Sequence, residues 1–400
     1  MSQSHPQLPA ATRILGDLIA HQTEPPHGNL PMCDYVGGLL RAAGFACHTS
    51  RTADGNKESL FAALGEGANA ANDKRRGVIL SGHSDVVDAS SQSGWQTPPF
   101  EMREKGGILF GRGACDMKGF LACVLASAPA FAKAKLAEPL YFALSRDEEV
   151  GCIGMPDILT LMRQAGAHPR LALVGEPTKM QVVAGHKSGA EMRTTFTGTE
   201  AHSSRPDDGV SAIHYATRFA AFLLDCAKEM KEAAAKDDNA NPFTPPYDTI
   251  NIGVINGGAA KNIIAGKCEM LWLYRALPEH NVADFIGKTD RYINEVLLPQ
   301  MRAAGHPADI DNRRMASYPG LIPDGNSPAV QLAMQLINTD KWQTAPFGAD
   351  AGQFAEDGIP TVIIGPGDIG YAHKPNEQIN TADLSECLTF LDRLRATMSS

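Results

Sequence analysis

The sequence has no surplus of positive charge: 36 Lys and Arg face 45 Asp and Glu, for a formal net charge of −9. Nucleic acids and anionic membrane surfaces are drawn to clustered cations, so neither is an expected partner. The single short basic cluster, Lys74-Arg75-Arg76, lies between Gly- and Ala-rich stretches and reads as a solvated loop. Paired cysteines are lacking as well. The eight cysteines form no C-x-x-C pair, and Cys123 sits in an apolar run that reads as a buried helix, which is reduced, cytosolic usage. No run of about 18 apolar residues offers a membrane span. The N-terminus has no basic stretch followed by an apolar segment and a small-residue cleavage site. The expected location is therefore cytoplasmic. No internal repeat of useful length is present.

What is there is ordinary globular material: 400 residues, 43% hydrophobic and 20% charged. That length exceeds one ordinary core and predicts two or more folding units. Apolar spacing predicts an opening helix over Ala10–Ala20, strands at Phe61–Leu64 and Val78–Ser81, and a buried helix over Met117–Ala134. A strand at Leu140–Leu144, a helix at Asp157–Ala165 and a strand at Leu171–Val174 follow. This alternation is that of an α/β sheet with helices on its faces, whose ligand sites lie beyond the carboxyl ends of strands. From about Gly185 the pattern changes. Glu191–Thr197, Thr249–Ile255 and Cys268–Arg275 read as strands, and Val210–Lys231 and Val282–Leu298 as helices, an α+β unit inserted in the chain. After about Arg313 the alternation returns, with Thr361–Ile364 a strand.

Five motifs carry groups capable of chemistry. Ser81-Gly82-His83-Ser84-Asp85 follows a strand; imidazole ligates zinc through one nitrogen, and a neighbouring carboxylate can fix its tautomer. In Gly111-Arg112-Gly113-Ala114-Cys115-Asp116-Met117-Lys118-Gly119, the glycines permit an unusual loop path and Asp116 stands before the buried helix. It can cap that helix, or bridge two cations about 3.5–4 Å apart. Ser145-Arg146-Asp147-Glu148-Glu149-Val150-Gly151 gathers acids that repel one another unless something positive joins them; a solvated acidic loop is the plain alternative. Val174-Gly175-Glu176-Pro177-Thr178 and Tyr371-Ala372-His373-Lys374-Pro375-Asn376-Glu377 each place a further ligand type in a loop. Taken singly, each is an ordinary loop residue. Together they put a ligand type in every strand-end loop of one domain, and zinc favours His nitrogen with carboxylate oxygen.

In their order, GHSD, GRGACDMKG, DEEVG, GEPT and AHKPNE resemble the co-catalytic zinc amidohydrolases, the family that includes aminoacylases, carboxypeptidase G, succinyl-diaminopimelate desuccinylase and acetylornithine deacetylase. The resemblance spans nearly the whole chain. It implies a discontinuous zinc-peptidase-like α/β catalytic domain, residues 1–187 and 309–400, with a mixed sheet between helices. An α+β dimerisation or lid domain, 188–308, is inserted in it. It implies that His83 and Glu176 hold one Zn2+, that Glu149 and His373 hold the other, and that Asp116 bridges them; Co2+ or Mn2+ would also suit. Asp85 would support His83, and Glu148 would act as general base. His202, in Glu200-Ala201-His202-Ser203-Ser204, resembles the family histidine that reaches a neighbouring subunit's active site, which makes a homodimer the expected functional unit. Asn262 and Arg275 resemble positions that bind the substrate's α-carboxylate, Arg by its bidentate geometry, and Gly348 is grouped with the substrate-binding positions.

Within the family, DEEVGCIG, GEPT, GHKSG and Gly365–Glu377 are most similar to acetylornithine deacetylases of the proteobacterial kind. That implies hydrolysis of N2-acetyl-L-ornithine to L-ornithine and acetate, a step of arginine biosynthesis. Ala349 and Asp350 stand where that branch usually has Thr and Glu, and a shortened acid at 350 would alter recognition of ornithine's terminal amine. The alternatives are deacylation of another N-acyl amino acid, such as N-succinyl-diaminopimelate or N-acetylcitrulline, and a metal-free, non-catalytic binding relative.

Overall fold

A computed structural model describes residues 4–25, 27–65, 76–236, 241–303 and 305–399. Of the basic cluster, Lys74 and Arg75 lie outside the described residues, as does most of the Gly- and Ala-rich loop around it.

The chain forms two compact units. The first comprises residues 1–185, 323–344 and 349–400; the second comprises 186–322 and 345–348. The expected inserted domain thus extends past residue 308. The reason is the strand Asp309–Tyr318, which pairs antiparallel with Ser188–Thr197 and cannot leave that sheet.

An eight-stranded mixed sheet organises the first unit, in the order Ala46–Arg51, Glu58–Leu64, Leu140–Ser145, Val78–His83, Leu171–Val174, Thr361–Ile363, Val183–His186, Gln343–Ala345. Its four central strands, Leu140–Ser145 through Thr361–Ile363, run parallel. They are buried along their whole length, which is why they read as continuous apolar runs rather than alternating ones. The helices Leu8–Ala20, Leu30–Ala42, Gly119–Lys133, Pro328–Ile337 and Thr381–Met398 share one apolar core with that sheet. The segment Ala114–Lys133 is long and apolar enough to cross a bilayer, but 89% of its most apolar stretch is buried inside the fold. It is a core helix.

The second unit is a four-stranded antiparallel sheet, Thr249–Gly257, Lys267–Ala276, Ser188–Thr197, Asp309–Tyr318, in that spatial order. Lys267–Ala276 alternates buried and half-buried positions, as a sheet with one covered face requires. The long helix Ala212–Ala234 covers it with Ala216, Phe219, Leu223 and Cys226, a helical stripe at three- and four-residue spacing. Thr249–Gly257 is an edge strand and largely exposed.

Candidate active site

Parallel strands present their carboxyl ends along one edge of a sheet, and that edge collects the expected ligands. His83 ends Val78–His83; Glu148 and Glu149 follow Leu140–Ser145; Glu176 follows Leu171–Val174; His373 lies in the loop after Thr361–Ile363. Asp116 comes from an irregular turn, Ala114–Lys118, that leads into the core helix. Gly113 enters this turn at φ +79, where a Cβ would come within 2.7 Å of Val86; the glycine is needed there. The Asp116–Met117 peptide is cis.

Asp116 sits between two clusters. Its Oδ1 lies 3.2 Å from His83 Nε2, and its Oδ2 lies 3.1 Å from His373 Nε2. Glu176 Oε1 is 3.9 Å from His83 Nε2, and Glu149 Oε2 is 3.0 Å from His373 Nε2. The result is two triads, His83–Asp116–Glu176 and Asp116–Glu149–His373, that share one carboxylate. Nitrogen and oxygen ligands about 2.0–2.2 Å from a common zinc stand roughly 3–3.6 Å from one another; the contacts of Asp116 with both histidines and of Glu149 with His373 have that spacing, and Glu176 stands slightly farther from His83. Glu149 Oε1 and Glu176 Oε1 are buried and accept no hydrogen bond, although a buried carboxylate oxygen without a partner is costly. The donor set, the spacing and these two orphaned oxygens all fit a pair of divalent cations.

The electrostatics point the same way. Burial pushes the Glu176 carboxyl well above the usual range, with Asp116 adding to it and His83 opposing. Burial likewise raises Glu149, again with Asp116 adding and His373 opposing. Burial works against charge on the two imidazoles but is outweighed. The hydrogen bond to Asp116, with Glu176 and Glu148, lifts His83 well above its ordinary value, and bonds to Asp116 and Glu149 lift His373 to about 11. Positive charge is what this cluster accommodates best.

Glu148 belongs to neither triad. Burial and then Glu176 push its carboxyl well up. It neighbours Cys152, whose thiol donates to Glu148 Oε1 at 3.5 Å, and Asp350. Asp350 is itself buried, accepts from the Ser145 hydroxyl, and is raised to about 6, chiefly by burial. The residue at 350, read from sequence as an influence on amine recognition, is a buried neighbour of the expected base. The support expected from Asp85 also takes another form. His83 Nδ1 is 2.9 Å from the Asp85 main-chain carbonyl and 3.7 Å from its carboxylate. The carboxylate instead accepts the backbone N–H groups of Glu148 and Glu149, each at 3.0 Å.

The remaining expected residues are in the second unit, and they fall into two groups. His202 bridges to Ile263, and Ser203 N–H donates to the Asn262 carbonyl, so His202 and Asn262 are neighbours. Arg275 Nη1 donates to the Tyr318 hydroxyl at 3.1 Å. A Cβ at Gly348 would lie 2.0 Å from the Tyr318 ring, so Gly348, Tyr318 and Arg275 form the other group. Arg275 pairs with Thr249 at one end of a hairpin whose other end pairs Cys268 with Gly257, next to the turn carrying Asn262. Seven residues of strand, about 24 Å at roughly 3.4 Å each, part the two groups. Sequence reading did not assign Glu377, which lies inside the AHKPNE motif, nor Ser145, Cys152 and Tyr318.

A paired-cation cluster at the carboxyl edge of a parallel sheet, with a free carboxylate beside it, defines a metal-dependent hydrolase. The chain belongs to peptidase family M20/M25/M40, whose profile matches residues 79–396. It is 33% identical over 393 residues to an acetylornithine deacetylase of Myxococcus xanthus, covering 96% of this chain and 97% of the relative. To the acetylornithine deacetylase of Pasteurella multocida (strain Pm70) it is 28% identical over 395 residues, covering 97% and 98%. Among solved structures, the fold is shared with an M20 family metallo-carboxypeptidase from Sulfolobus solfataricus (TM-score 0.77, 16% identity, 97% and 99% covered). It is also shared with a dinuclear metal binding peptidase of the M20 family from Bacillus subtilis (TM-score 0.62, 14% identity, 98% of each chain covered).

Proposed function

We propose that this chain hydrolyses the amide bond of an N-acyl amino acid, with N2-acetyl-L-ornithine as the substrate that best fits, yielding L-ornithine and acetate in the cytoplasm as a step of arginine biosynthesis. The observation that carries the chemistry is Asp116, which offers one oxygen to each of two histidine-carboxylate pairs. The choice of substrate rests on full-length similarity to two acetylornithine deacetylases.

In this reading His83 and Glu176 hold one Zn2+, Glu149 and His373 hold the other, and Asp116 bridges. Bound there, the cations would polarise the scissile carbonyl and acidify an attacking water. Glu148, raised by burial, takes the proton from that water and delivers it to the leaving nitrogen. Asp85 fixes where Glu148 and Glu149 start by holding their main-chain N–H groups. Arg275 takes the substrate's α-carboxylate. His202 donates to the carbonyl oxygen as negative charge develops, with Asn262 beside it. Because the hairpin parts Arg275 from His202 and Asn262, the last two serve the site of a second copy, and the functional unit is a homodimer formed through the inserted domain.

The test is a panel of N-acetyl-ornithine, N-acetyl-citrulline and N-succinyl-diaminopimelate assayed for amine release, with metal content measured in parallel. Two equivalents of cation, loss of turnover on chelation and preference for the ornithine substrate are expected. Turnover that survives complete chelation would remove the two-cation reading, and preference for another amino acid would reassign the substrate alone.

A further inference from the structure

We propose that Glu377 is a positioning residue that sets the affinity of the paired-cation site, by clamping the loop of Asp116 to the loop of His373. The inference rests on the two-cation reading above. Glu377 is 1% exposed. Its Oε2 accepts from Arg112 Nη1 at 2.8 Å and from the Gly113 N–H at 3.0 Å. Its Oε1 accepts from the N–H groups of Cys115 and Asp116, at 3.0 and 3.1 Å. Four donors thus converge on one carboxylate, and three of them are main-chain groups of the turn that aims Asp116.

The same side chain anchors the other loop. Glu377 lies four residues after His373, and that stretch includes His373 and Asn376 at φ +59 and +61, a left-handed backbone that His and Asn adopt more readily than most residues. Arg112 ties this loop to the same carboxylate. Besides Glu377, it donates from Nη1 to the Lys374 carbonyl at 3.4 Å and from Nη2 to Gln92 Oε1, and Gln92 Nε2 donates to the His373 carbonyl at 3.1 Å. The Trp95 ring lies 5.0 Å from the guanidinium carbon. Next to Glu377, Gln378 pairs with Phe110 across a short antiparallel ladder. The two loops are one assembly, and Glu377 is where they meet.

A carboxylate is required because all four partners donate. Glutamine has the same shape but replaces one oxygen with two N–H donors, which would face N–H groups and release one side of the Asp116 turn. Groups that orient metal ligands typically change affinity by about 10–100-fold when removed. The decisive measurement is calorimetric titration of chelator-stripped protein with Zn2+, with the melting temperature of the stripped protein alongside.

Wild-type protein is expected to bind two cations. Glu377→Gln should bind at least one of them about 10–100-fold more weakly, yet recover kcat to within a few-fold at saturating Zn2+. Wild-type affinity for both cations in Glu377→Gln would overturn the proposal. So would turnover that saturating metal does not restore, which would give Glu377 a purely fold-maintaining role. Should Glu377→Gln not fold, Arg112→Lys decides: it keeps the charge, loses the fork that reaches Gln92 and Glu377 together, and should still weaken binding, whereas unchanged affinity would overturn the clamp. Wild-type protein that binds no cation would sink the two-cation reading instead, and so is told apart from failure of the clamp.

Discussion

At the scale of single residues, Glu148 and Glu149 are neighbours in sequence with different surroundings. Glu149 reaches His373, while Glu148 faces Cys152 and Asp350 and touches no histidine. A group that moves protons must stay free of the cations it works beside. Glu148→Ala is therefore expected to keep two equivalents of metal and lose about 10²–10⁴ in kcat; metal analysis beside steady-state rates checks both halves. A mutant retaining substantial turnover would take the base role away from Glu148. In the second unit His186 is buried, its Nδ1 lies against the Lys187 carbonyl, and Nε2 has no partner. Burial is the main reason its imidazole is lowered to about 4. Between pH 4 and 6.5 the unfolded chain carries a proton there that the folded chain refuses. Stability from this residue is thus complete above pH 6.5 and falls as pH drops toward 4, by about 3 kcal/mol at most. Denaturant unfolding across that window should show the slope, and His186→Gln should flatten it; an unchanged slope in the variant would assign it to other groups.

At the scale of elements, the site is an outcome of strand direction. Four adjacent parallel strands end on one edge, and the loops that follow have only to carry the right side chain. Asp85 shows how the loops are tied to one another: a buried carboxylate on one strand end holds two main-chain N–H groups on the next. Asp85→Ala leaves two half-buried N–H donors without their acceptor, at about 1 kcal/mol each. Unlike Glu148→Ala, it should lower cation affinity and kcat together, because Glu149 moves with Glu148. Metal titration that returned wild-type affinity would show that Asp85 does not set the position of that loop. The buried strands were readable because continuous apolar runs between turn residues have few other interpretations; Leu171–Val174 is found where it was expected. The helix Leu30–Ala42 was not readable, since Pro31, Gly37 and Gly38 weaken its local signal and its stability comes from packing Met32, Cys33, Val36 and Leu40 into the core. Ligand types were legible one motif at a time. Glu377 stands in the AHKPNE motif, but nothing local tells that its carboxylate meets the N–H of Asp116, 261 positions away.

At the scale of the whole molecule, the hairpin sets the question of how many chains make a site. Arg275 is at one end of it and Asn262 and His202 at the other, which is the ground for the proposal that a substrate using both groups draws on two subunits. The second unit also has a means of pairing. Its edge strand Thr249–Gly257 is exposed along Val254 and Ile255, and Ile213, Leu224 and Ile263 are exposed apolar residues of the same unit. An unprotected apolar edge is a site for association with another chain. A direct consequence can be measured by mixing two inactive variants, Glu148→Ala and His202→Ala, after co-expression or after dissociation and reassembly. In the homodimer proposed above, each variant paired with itself lacks one essential group in both sites. In a mixed dimer, the subunit that keeps Glu148 receives His202 from its partner, so one of its two sites is whole while the other lacks both groups. With random pairing, half of the dimers are mixed and activity should return to about a quarter of wild type. If His202 served the site of its own chain, every site in the mixture would lack one group or the other. Activity no higher than that of the separate variants, in a sample shown to contain mixed dimers, would then place His202 with its own subunit.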